Sequence, residues 1–127
     1  MTVTSIGMAS ALQGLAQALE APRRPGVTLG TWRWSVRQRM AAVRDALLAE
    51  AGHGSEGWFA ARETGLLRER AALLTRLGTL APRVLEDPDV DTVRAELHRL
   101  VADISHHEQR LHDLAYDEVE AELGGSE

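Results

Sequence analysis

The chain has 127 residues, a formal net charge of -5 with a pI near 5.5, and neither cysteine nor lysine. That length suits one hydrophobic core, a single domain over residues 1–127, and the acidity argues against a protein whose main task is neutralising phosphate. The missing residue types exclude disulfides, thiolate ligands, thiol nucleophiles and a Schiff-base or phosphate-loop lysine.

The charge is unevenly spread. Residues 1–51 hold six arginines against three acids, and residues 52–127 hold eight against sixteen, so the halves differ in sign. Helix packing or self-association would use that difference without a nucleic acid. The N-terminal residues lack a basic n-region and interrupt their apolar run with Gln, Ser and Gly, so no secretory leader is expected. No run approaches the roughly 20 apolar residues of a membrane span. The expectation is a cytoplasmic protein with no nucleic-acid or membrane partner.

Taken in chain order, Met8, Leu12, Leu15 and Leu19 form a narrow helical stripe in residues 5–20. The segment APRRPGVTLG, residues 21–30, then stops the helix with two prolines and two glycines and reads as a linker. A second helix is expected from about Thr31, as N-cap, to about Ala51, with Trp32, Val36, Met40, Val43 and Leu47 on one face and Gly52 and Gly54 at its end. Ser55 suits the N-cap of a third helix carrying Phe59, Leu66, Leu73, Leu77, Leu80 and Val84 as far as the turn EDPD. There Asp87 suits a cap and Pro88 the first helical position. A fourth helix, about Asp89 to Leu123, faces Val93, Leu97, Leu100, Ile104, Leu111 and Val119 inward and stops at Gly124 and Gly125.

No stretch alternates with strand period. The fold class is therefore all-α, an antiparallel bundle of three long helices with a shorter N-terminal one. The first helix completes a four-helix bundle within the chain, packs on a partner in a dimeric arrangement, or is only partly ordered.

Polar residues interrupt the apolar stripes. On a wheel of about 100° per residue, Glu108 and His112 border the stripe of helix four on one side, and Asp103 and His107 on the other. Glu63 and Arg70 fall within the apolar face of helix three, where buried charges require partners. Antiparallel pairing about the 86–88 turn sets Glu63 opposite His112, and Arg70 opposite Ser105 and Glu108. Two arrangements satisfy these residues. One is a buried polar network of Glu63, Arg70, Glu108 and His112. The other is a metal site on Glu63, Glu108 and His112, with His107 and Asp103 as further ligands, of the kind that takes iron, manganese or zinc.

The run HHEQRLHD and the spacing of His98 to Asp103 resemble the last helix of hemerythrin-like HHE-domain proteins. That resemblance spans about 20 residues and implies a four-helix bundle with a non-haem di-iron centre. Helices two and three contribute no histidine, so a complete centre is not implied. The segment from about Trp32 to the closing LAYDEVEAELGGSE is similar to small helical proteins of actinobacteria, a likeness that brings no activity with it. The exclusive use of arginine fits such a GC-rich origin.

In GTWRWSVRQR, Trp32 lies on the core stripe and Trp34 on the opposite side, which makes Trp34 the interface candidate. Glu50 and His53 have the Glu-x-x-His spacing of ferritin-like proteins, but a single copy beside Gly52 and Gly54 is discounted. No nucleophile triad or phosphate loop is visible. The expected function is that of a non-catalytic interaction or accessory protein, a homo-oligomer without cofactor joined through helix one and the Trp34 side of helix two. The alternative is a degenerate hemerythrin-like metal-binding bundle.

Overall fold

In a computed structural model, which describes residues 3–20, 26, 28–50 and 58–125, the chain forms four helices: α1 Val3–Glu20, α2 Leu29–Leu48, α3 Trp58–Glu86 and α4 Val90–Gly125. Each packs on two others, in the ring α1–α2–α3–α4, so α1 lies against both α2 and α4 of its own chain. The architecture is an all-α antiparallel four-helix bundle. Of the arrangements open for the first helix, the chain adopts the internal one, with Met8, Leu12, Leu15 and Leu19 buried.

The core follows the apolar stripes. Trp32, Val36, Met40, Val43 and Leu47 of α2 meet Leu73, Leu77, Leu80 and Val84 of α3 and Val93, Leu97, Leu100 and Ile104 of α4. The stripe of α4 then departs from expectation: Leu114 is fully buried, Leu111 only partly, and Val119 is 54% exposed. Stepping by three and four from Leu100 passes through Ile104, His107, Leu111 and Leu114. A histidine therefore occupies a core position.

Two helix starts differ from the expected ones. Helix α2 begins earlier because Thr28, in extended conformation, caps it by accepting from the Thr31 amide at 3.2 Å. At α4 the cap is Asp89, which accepts from the Thr92 amide and hydroxyl at 3.2 and 2.7 Å. Asp87 instead accepts from the Asp89 amide at 2.8 Å and shapes the turn. The proposed stops at Gly52 and Gly54 and the Ser55 cap lie outside the described residues. Between α1 and α2, Gly26 adopts a φ of 87°, which favours glycine.

At about 1.5 Å per residue, α1 and α2 span about 27 and 30 Å, whereas α3 and α4 span about 44 and 54 Å. This mismatch shapes the molecule: α3 and α4 run on together past the last turn of α2. Arg62 and Asp117 pair at 2.9 Å within that extension. The junction between the four-helix part and the extension is marked by Glu50, which reaches His107 of α4.

Candidate functional site

His107 is the one fully buried polar side chain among the described residues. Its Nε2 lies 2.9 Å from Glu50 Oε2, just beyond α2, and its Nδ1 lies 2.6 Å from Glu69 Oε1 on α3. Glu69 is held in turn by Arg110, whose Nε donates to Oε1 at 3.2 Å and whose Nη2 donates to Oε2. Arg70 donates from Nη1 to the Glu50 backbone carbonyl at 2.8 Å, fixing the chain where α2 has just ended. Glu108, next to His107, turns its carboxyl toward Glu50 within hydrogen-bonding reach. Three segments thus bring carboxylates to one imidazole.

Burial works against charge here, and the partners decide which groups carry it. Burial alone would lower His107, but its hydrogen bonds to Glu50 and Glu69 outweigh that and hold its pKa above the ordinary value. Glu50 and Glu69 are pushed up by burial yet end below the ordinary carboxylate value. For Glu50 the hydrogen bonds with His107 and Glu108 prevail, and for Glu69 those with Arg110 and His107. Glu108 goes the other way: burial, then the neighbouring Glu50, raises it to about 8. Two oxygens stay unsatisfied by any protein donor, Glu50 Oε1 and Glu108 Oε2, both buried. Such a pair accommodates a shared proton or a cation.

Of the residues expected at a site, the fold brings His107 and Glu108 together. Asp103 is turned elsewhere, pairing with Arg76 at 2.7 Å. Glu63 is half-buried and His112 exposed, and neither is among the contacts described for the His107 cluster. Arg70 belongs to the cluster through the Glu50 carbonyl rather than as a bridge between Glu63 and Glu108. Of the other two members, Glu69 is not among the residues expected at a site, and Glu50 is marked only by its discounted spacing to His53. Glu50 continues the α2 stripe by the step Val43, Leu47, Glu50, a signal that outranks its discounted spacing to His53, which lies outside the described residues. Glu69 follows Leu66 by three and borders the α3 stripe.

A second feature lies on the outside. Trp34 is 62% exposed, so α1 does not cover it, while Trp32 is buried in the core. Tyr116, Val119 and Leu123 of α4 are 66%, 54% and 66% exposed. At about 100° per residue they fall within about 40° of the side opposite Leu114, an apolar stripe facing away from α3.

No family model, curated protein or solved structure matches the chain.

Proposed function

We propose that this chain acts non-catalytically, as an interaction or accessory protein that self-associates, with the last turns of α4 in one copy lying along the outer face of α2 in another. The observation that carries the reading is the complementarity of two outward stripes. On α2, Trp34, Ala41 and Leu48 recur at seven-residue steps, with Arg37 and Arg44 along one side and Gln38 and Asp45 along the other. On α4, Tyr116, Val119 and Leu123 are flanked by Asp113 and Glu120. Apolar seams edged by opposite charge are how paired helices choose partner and direction.

Two further features support it. The α4 end carries Glu120 and Glu122, with no basic residue in its last turn, where the helix dipole disfavours carboxylates. Arginines of a second copy relieve that. The apolar stripe of α1 is buried within its own bundle, so the Trp34 side of α2, rather than α1, supplies the contact. Trp34 lies near the end of the molecule opposite to the α3–α4 extension, so a two-fold pair running end to end makes the contact twice.

Sedimentation equilibrium tests this. The expected species has twice the 13.9 kDa chain mass. Reversing Arg37→Glu and Arg44→Glu together should yield a monomer, and adding Asp113→Arg and Glu120→Arg should restore the dimer. A monomeric parent chain at millimolar concentration would overturn the reading.

A further inference from the structure

We propose that Glu50, His107 and Glu108 form a binding site for one divalent first-row transition ion, of the zinc, cobalt or manganese kind, per chain. The inference goes beyond self-association and does not depend on it. One ligand atom from each residue lies within 4.8 Å of the others, the spacing at which three donors share an ion. The Glu50 side chain is only 7% exposed, yet its Oε1 meets no donor, and Glu108 Oε2 is likewise buried without one. A buried carboxylate oxygen without a donor is costly, and a cation placed between these two satisfies both.

The surroundings of the imidazole point the same way. A metal-bound histidine characteristically donates its other ring N–H to a carboxylate, which fixes the tautomer and strengthens the ligand. His107 has that arrangement once an ion takes the place of the Nε2 proton, which leaves to solvent: Nδ1 lies against Glu69, Nε2 lies 2.9 Å from Glu50 Oε2, and Arg110 holds Glu69 in place. The donors are one nitrogen and carboxylate oxygens. That set suits zinc, cobalt or manganese better than calcium, which takes oxygen ligands only. Three protein ligands leave further positions for water or a small anion. Arg70 is not a bridging guanidinium, since its described hydrogen bond goes to the Glu50 backbone carbonyl, although its charge still favours the ionised Glu50 carboxylate. Glu108→Gln replaces the acid by an amide of the same shape, which removes the anionic ligand with the least change in packing.

The test is titration of the chelator-stripped full chain with Co2+, followed by the ligand-field absorption of the ion, with Zn2+ as competitor. His98, His106 and His112 are replaced by Gln in the parent to silence exposed imidazoles. One Co2+ per chain is expected, displaced by one Zn2+. Glu108→Gln should weaken binding at least about 100-fold, and Glu69→Gln, which changes only the support of His107, about 10- to 100-fold. Far-UV circular dichroism of each variant checks folding, and should Glu108→Gln fail to fold, Glu69→Gln decides. Absence of a stoichiometric complex in the parent, or equal affinity in the parent and the folded variants, would overturn the proposal.

Discussion

Asp89 shows how a single side chain sets the start of the longest helix. The hydroxyl of Thr92, and then its amide, hold the Asp89 carboxyl below its ordinary value of 3.8. Stability carried by a carboxyl lowered in this way is present above that value and is lost as the pH falls through the lower folded value. In urea titrations, Asp89→Ala should therefore unfold earlier than the parent at neutral pH, and the two midpoints should converge as the pH drops below about 3.8. A gap that does not change with pH would contradict the capping role. At this same scale the sequence was only partly legible. The wheel placed His107 at the border of its stripe because a polar residue is not expected in a core position. The three–four stepping through Leu100, Ile104 and Leu114 puts it inside. Glu50 was hidden for a related reason, since its partners lie on helices far away in sequence and its glycine-rich sequel drew attention to the turn. Glu108 belongs to the cluster, but the partner described for its carboxyl is Glu50 rather than a residue of α3.

Among the elements, the stripes of α1 and α2 were readable because apolar residues at helical spacing leave few alternatives. The starts of α2 and α4 moved because caps depend on backbone geometry and not on residue type alone: Thr28 and Thr31 are equally good caps on paper, as are Asp87 and Asp89. Elements are also tied together at their ends in a way no periodicity reveals. Arg33, in the first turn of α2, donates from Nη1 to Val84 O and from Nη2 to Asp87 O, each at 2.8 Å. One guanidinium thus satisfies carbonyls at the end of α3, where helix geometry leaves them without partners. Replacing it, Arg33→Met, keeps the aliphatic stem and removes the fork. The expected loss is about 2 kcal/mol, as for charge-assisted hydrogen bonds in general, read as a lower urea midpoint at unchanged slope. An unchanged midpoint would show that solvent serves those carbonyls equally well.

For the molecule as a whole, the all-helical class followed from four stripes and short connections, and the ring of contacts among four helices bears it out. The outer stripe of α4 was less legible, because Val119 reads as core until Leu114 is seen to take that place. The unequal helix lengths leave an apolar, acidic-edged face on the extension, and α2 presents an apolar face with arginines along one edge, in line with the charge division between the two halves of the sequence. Hydrogen exchange of the α4 amides from 112 to 123, followed over a wide range of protein concentration, tests that account most directly. If a second copy covers the stripe, protection there should rise with concentration together with that around Trp34, while the four-helix core stays unchanged. Exchange in both segments that is independent of concentration would contradict it.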